Sequence, residues 1–255
     1  MKTKFLILIL CLLCINSTAF SAQVRQRYGY ITEQKKYVTT YYLVNSKGQR
    51  VSSQDYDYLS EVTPNLFIAT NNDKVGLING YGGGVLPFEY QEIKCLKYGV
   101  LKVKQDNKFG LVTYAGNQIL PIKYSYLEKV DDRLLKFSSS KSSGTTDLPV
   151  ATTTNNSGGG IGLMDYYGKI VAGEKYTTVS KLNNYLLIVR VGANTGSAKY
   201  GLIDYSGRTV LSPQYDYLSK INNTLLRVKK GNNWGRVEYY NGNVINVMFD
   251  YESYW

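Results

Sequence analysis

The feature that most constrains this chain is an internal repeat. Aligned on a glycine preceded by an apolar or aromatic residue, six positions fall in register: Tyr42, Gly76, Gly110, Gly162, Gly201 and Gly235. Three of the five intervals are 34 residues. The residue before each anchor is Tyr41, Val75, Phe109, Ile161, Tyr200 or Trp234. Six residues on stands a second glycine, at Gly48, Gly82, Gly116, Gly168 and Gly207, with Gly242 one place late. Eight residues beyond that stands a tyrosine: Tyr56, Tyr90, Tyr124, Tyr176 and Tyr215. A unit this short cannot bury its own apolar face, so the period predicts stacked copies of one small motif.

Each unit reads as four short strands. The first is the aromatic-Gly-Leu-Ile step, as in Tyr200 to Ile203. Asp204-Tyr-Ser-Gly207 and Asp165-Tyr-Tyr-Gly168 then spell a turn: the Asp side chain accepts backbone N–H groups, and the Gly supplies a positive φ. The second strand is expected to stop near Pro87, Pro121 or Pro213. The third carries the repeat tyrosine, and the fourth alternates, as in Leu101-Lys-Val103. No window of useful length has helical periodicity. The expected fold is all-β, six repeats of about 34 residues with four antiparallel strands each. The sixth unit lacks a fourth strand, and residues 28–36 look like a strand without a home. One strand from each end would close a β-propeller-like ring, which removes exposed edges. The alternative is an open β-repeat superhelix.

Two inserts interrupt the period, both between a fourth strand and the next first strand. Residues 138–160 are Ser-, Thr-, Asn- and Gly-rich around Leu148-Pro-Val150, and lengthen one interval to 52. So little apolar surface cannot offset the entropy of ordering, so a disordered loop is expected there. Gly192 to Ala198 lengthens another interval to 39.

Residues 1–22 carry the marks of a secretory signal peptide: Lys2 and Lys4, an apolar run from Phe5 to Ile15, then Ser17, Thr18, Ala19, Ser21 and Ala22. That run is too short to span a bilayer as a helix. Cys11 and Cys14 each follow a Leu where lipidation calls for a small residue. The expected mature chain is residues 23–255, an exported repeat domain, periplasmic or extracellular, without a transmembrane segment. Its only cysteine is Cys95, so no intramolecular disulfide forms, and a buried inert thiol is expected.

There is no histidine, which rules out His-based triads, His general bases and His zinc ligands. The net charge is +11, and +9 without Lys2 and Lys4. The lysines are scattered, as on a solvated surface; a basic surface also favours polyanions. No motif calls for a cofactor or metal: the acids lack calcium-loop spacing, and no helix follows the glycine runs Gly82–Gly84 and Gly158–Gly160.

The pattern (aromatic)-Gly-Leu-Ile-Asp-x-x-Gly-x-x-Val-x-x-Pro-x-Tyr-Asp-x-Leu, clearest from Tyr200 to Leu218, resembles the bacterial WG (KWG) repeat. The Trp-Gly pair itself stands only at Trp234-Gly235, and Lys precedes the pair at Lys74, Lys108 and Lys199. Unit one departs from the pattern with Tyr41-Tyr42, and unit four has Gly173 where others have proline. The resemblance covers residues 40–255 and implies a β-rich interaction scaffold in exported or envelope settings. It brings no catalytic residue.

The structural anchors are therefore Gly76, Gly110, Gly162, Gly201, Trp234 and Gly235. The five repeat tyrosines read as core. A second set, Tyr58, Tyr126 and Tyr217, lies two residues further on and is expected on the same face, as candidate ligand-binding residues. An enzyme without histidine would use paired carboxylates, as glycosidases do. The available acids are Asp55, Asp57, Asp165, Asp204, Asp216 and Glu238. Asp165 and Asp204 recur at turn positions, which a structural role predicts. The expectation is a non-enzymatic scaffold for another envelope or extracellular protein. The alternative is a carbohydrate-binding or carbohydrate-active protein; nucleic acid ranks low for an exported chain.

Overall fold

The computed structural model describes residues 23–31, 36–139, 160–192 and 197–249. The proposed signal peptide, most of the long insert, part of the short one and the last residues lie outside these ranges. The described residues hold strands and no helix. They divide into two compact units, split between Ile122 and Lys123.

The first unit opens with β1 (Gln23–Ile31) and β2 (Lys36–Val44), an antiparallel pair in register from Gln23↔Val44 to Ile31↔Lys36. Sheet I follows: β3 (Tyr58–Thr63), β4 (Leu66–Asn71), β5 (Lys74–Asn79) and β6 (Gly84–Tyr90). Sheet II is β7 (Glu92–Cys95), β8 (Val100–Gln105), β9 (Lys108–Thr113) and β10 (Gln118–Tyr124). In the second unit, sheet III is β11 (Tyr126–Lys129), β12 (Leu134–Ser138), β13 (Ile161–Asp165) and β14 (Ile170–Tyr176). Sheet IV is β15 (Thr178–Lys181), β16 (Leu186–Val191), β17 (Lys199–Asp204) and β18 (Thr209–Tyr215). Sheet V is β19 (Tyr217–Lys220), β20 (Leu225–Lys230), β21 (Asn233–Tyr240) and β22 (Asn243–Phe249). All five are antiparallel meanders.

The sheets are out of phase with the sequence repeat. Each takes the second half of one repeat and the first half of the next, so five sheets arise where six four-stranded units were expected. Among the described residues the sixth unit contributes two strands, which complete sheet V. Residues 28–31 lie in β1 and pair with β2. The reason is the bend after the repeat tyrosine. Tyr90, Tyr124, Tyr176 and Tyr215 end the outer strand of one sheet, and one residue later the next sheet begins.

The prolines also sit differently from expectation. Pro87, Pro121 and Pro213 lie inside β6, β10 and β18 instead of ending them. Each of these strands is the outer one, where a missing N–H costs no ladder bond. The register there is bulged: Leu77 pairs with Leu86, but Val75 pairs with Tyr90. The bulge folds across the anchor glycine, which explains why it must be glycine. A Cβ on Gly201 would lie 2.5 Å from the Leu211 carbonyl oxygen and 2.8 Å from the Pro213 nitrogen. One on Gly110 would lie 2.8 Å from the Leu120 carbonyl oxygen. The first repeat, with Tyr42 at this place, forms only bridges Val44↔Arg50 and Tyr41↔Tyr56 and no regular second strand.

Cores form between sheets I and II, between sheets III and IV, and between sheets IV and V. Leu77 and Leu86 of sheet I pack with Ile93, Leu101 and Val103 of sheet II. Leu202, Leu211 and Tyr215 of sheet IV pack with Leu218, Leu226 and Val237 of sheet V. The five repeat tyrosines are all buried. Cys95 is not: it is exposed at the end of β7, beside Tyr114, because the alternation that buries Ile93 stops at the turn.

Candidate functional site

The turn chemistry reads out as latches. Asp204 accepts hydrogen bonds from the Ser206 and Arg208 amides at 2.9 and 3.0 Å, and Asp165 from those of Tyr167 and Lys169 at 2.9 Å. Asp57 and Asp216 follow the repeat tyrosine, and each accepts an amide from a hairpin turn further on, Asn72 or Gly231, at 2.7 Å. Gln91 does the same for Asn107 at 2.9 Å. Asn72-Asp73 and Asp106-Asn107 both have positive φ, the geometry of a tight type I′ hairpin. Where an insert replaces the tight turn, the latch residue changes. Ser125 and Thr177 donate instead to the Ser138 and Arg190 carbonyl oxygens, both at 3.1 Å. Asp55 is bound by Thr40 at 3.0 Å and by Arg50 at 2.8 Å. Glu238 lies half-buried on β21 opposite Asn246.

A denser cluster lies in the turns of sheets III and IV. The Asp131 carboxylate accepts from the Arg133 amide at 2.9 Å, its guanidinium at 3.2 Å and the Tyr205 hydroxyl at 2.8 Å, with Lys181 at 3.4 Å. Burial works against its ionisation, but these donors hold its pKa at about 2. Burial and the Asp131 charge push the Tyr205 hydroxyl up to about 12, so it stays a donor. The Arg133 guanidinium lies 3.4 Å from the centre of the Tyr205 ring and donates to the Asn184 carbonyl oxygen at 2.7 Å. An open depression of about 480 Å³ is lined by Lys129, Asp131, Asp132, Arg133, Lys181 and Asn184. Its charges are already spent on one another, so it is a lock between turns. The tyrosine four residues after the anchor glycine ties down a turn: Tyr166 donates to the Asp131 carbonyl oxygen in this lock, and Tyr239 to that of Asn222 in sheet V, both at 2.9 Å. The sequence reading missed this role, although the spacing was there to see.

The candidate ligand-binding tyrosines do not behave alike. Tyr58 and Tyr217 are exposed. Tyr126 is buried, donates to Glu128 at 2.6 Å, and is pushed up in pKa by burial and that carboxylate. None shares a face with its repeat tyrosine, because the bend between them starts a new sheet. Tyr217 stands edge-on to Trp234, with ring centres 5.5 Å apart. Arg227 covers that indole at 4.1 Å, and Lys229 lies 5.4 Å from it. Tyr217 pairs with Lys229, and Lys229 with Trp234. The next row across the sheet is Ser219, Arg227, Arg236 and Met248.

This outer face of sheet V is the candidate site. Its pattern is Gly-Arg at Gly235-Arg236 where the four preceding sheets have Gly-Leu. Leu77, Leu111, Leu163 and Leu202 have 0% exposure; Arg236 is exposed and Met248 is 42% exposed. That Leu-to-Arg change is visible in the sequence as a break in the Gly-Leu step.

The family model for the WG containing repeat matches residues 76–109 and 200–234. At these two places the chain carries a WG containing repeat. The second match ends on the Trp234 that Arg227 covers, and both begin at or beside an anchor glycine. No curated protein matches the chain. Among solved structures, it is similar to one titled "Crystal structure of the eukaryotic initiation factor", at 9% identity and TM-score 0.38, over 88% of this chain and 62% of that one. It is also similar to Hsv2p of Kluyveromyces lactis, at 10% identity and TM-score 0.25, over 88% of this chain and 96% of that one. A likeness this loose carries no argument about the WG-repeat chain. A repeat match names an architecture and not a chemistry.

Proposed function

We propose that this protein is an exported, non-enzymatic scaffold that holds another protein on the outer face of its last sheet. The observation that carries this reading is the reversal at one row. The row that buries Leu202 and Leu211 in sheet IV presents Arg236 and Met248 to solvent in sheet V. Exposed apolar surface bordered by charge is the composition of an interaction site. Lys2, Lys4 and the apolar run after them support export.

The finer architecture belongs to the same proposal. It is a β-propeller-like ring, with an open β-repeat superhelix as the alternative. Deleting residues 24–36 should remove most of the cooperative stability of a closed ring; a retained melting transition would favour the open array. The carbohydrate alternative rests on the exposed Tyr217 and half-buried Trp234, but the Trp234 ring is already covered by Arg227.

Mature protein mixed with the envelope fraction of its own cells tests the reading. A protein partner retained at high salt, and lost with Met248→Asp, supports it. Recovery of glycan alone would replace it with the carbohydrate reading, and capture that vanishes with salt would reduce it to charge attraction.

A further inference from the structure

The outer strands of the first four sheets are guarded against pairing. β6 carries Pro87 and Glu89, β10 carries Pro121 and Lys123, β14 carries Glu174 and Lys175, and β18 carries Pro213. Proline and charge are how proteins blunt sheet edges. β22, Asn-Val-Ile-Asn-Val-Met-Phe, has neither. It ends its sheet, with no strand on its other side among the described residues. Ile245, Val247 and Met248 are 64, 36 and 42% exposed.

The neighbours of this edge say what fits it. On the inner side, Val247 pairs with Val237 and Phe249 with Gly235, so an added strand would meet apolar side chains there. On the outer side, Met248 leads to Arg236 and then Arg227, which face each other across β20 and β21. Like charges directly opposite are unfavourable in a sheet on its own. Neither arginine has an ion-pair partner among the described residues. The equivalent pairs elsewhere are Ile68–Leu77, Lys102–Leu111, Lys136–Leu163 and Ile188–Leu202, so only sheet V sets two cations together at this pair. In sheet II Lys94 faces Lys102 one strand further out, but there Glu92 lies 3.2 Å from Lys94.

We propose that β22 accepts an added strand from an acidic protein segment in which apolar and carboxylate side chains alternate. This rests on the scaffold reading and names its partner's chemistry. Main-chain pairing along the edge supplies affinity, and alternate side chains supply specificity. Successive side chains of the incoming strand point to opposite faces, so its apolar set lies beside Val247 while its carboxylates lie beside Met248, within reach of Arg236. An acidic glycan would use the arginines but has no regular ladder of N–H and C=O groups for the edge.

The test uses the mature chain and a labelled peptide as long as β22, seven residues, alternating valine and glutamate. Controls alternate valine with lysine, or place the same valines and glutamates in two blocks. Fluorescence anisotropy at low and high salt should show binding of the first peptide, with both controls at least about tenfold weaker, a difference of about 1.4 kcal/mol. Arg227→Gln with Arg236→Gln should weaken the first peptide and flatten its salt dependence. Val247→Lys, which installs the guard the other edges carry, should abolish binding, with the melting temperature as a check on folding. Independently of any variant, bound peptide should slow amide exchange in β22 and leave β6 unchanged. Equal binding of all three peptides, or no slowing in β22, overturns the strand-addition proposal; a protein captured from the envelope would still stand for the scaffold reading. Displacement of the peptide by an oligomer of uronic acid, with no effect of Val247→Lys, would assign the arginines to a glycan and overturn it as well.

Discussion

Sheets IV and V share strand order, yet they treat one row of residues in opposite ways. Across sheet IV the row is Ser180, Ile188, Leu202 and Leu211; across sheet V it is Ser219, Arg227, Arg236 and Met248. The first row is covered by the next sheet, and its two leucines sit in a shared core. The second row faces solvent. A repeat protein thus keeps its backbone rules constant while each outer face takes its composition from what lies against it. Function can be placed on a face without disturbing the fold beneath.

Exchanging the two rows breaks this comparison most severely. Leu202→Arg would bury an unpaired charge in a site with 0% exposure and should cost more than about 4 kcal/mol, enough to remove the cooperative urea transition. The reverse change, Arg236→Leu, should leave the transition within about 0.5 kcal/mol, because that face is open. Similar losses from both would mean that the outer face of sheet V is covered in solution.

The glycines sharpen the same contrast at the next level. Gly201→Ala forces a Cβ against the Leu211 carbonyl oxygen at 2.5 Å and should cost roughly 2–4 kcal/mol through displaced backbone. Gly173→Ala, where a Cβ would meet nothing within 4 Å, should stabilise by about 0.4–1 kcal/mol by restricting the unfolded chain. Thermal melts of the two variants should move in opposite directions.

Acid should act through Asp131. Its folded pKa of about 2 lies below the ordinary 3.8, so the carboxylate contributes stability above about pH 4 that is lost as pH falls towards 2. The contribution is roughly 2 kcal/mol. Urea midpoints measured from pH 6 to about pH 2 should fall for the native chain, and Asp131→Asn should start lower and show less of that fall. Tyr205→Phe removes one donor and should cost about 1 kcal/mol. The smallest effect belongs to Arg208→Ala, which breaks an exposed pair with Asp204 at 2.8 Å and should cost at most about 0.5 kcal/mol.

The sequence by itself determined the all-β class, the repeat and its period, the turn residues and the buried tyrosines. These follow from local chemistry: positive φ at Gly48 and Gly207, side-chain acceptors at Asp165 and Asp204, and alternation along each strand. It also held the mark of the candidate face, since Arg236 breaks a run of leucines at one register. Only the tertiary structure decided how strands were shared out. The bend after each repeat tyrosine assigns half of every repeat to the next sheet, and no local preference records which neighbour a strand will pair with. For the same reason alternation failed from Tyr56 to Tyr58 and from Tyr215 to Tyr217, each a buried ring followed by an exposed one, and exposure at Cys95 could not be read from Ile93. Burial depends on what lies across the sheet and against it, and those partners are brought together only when the chain is folded.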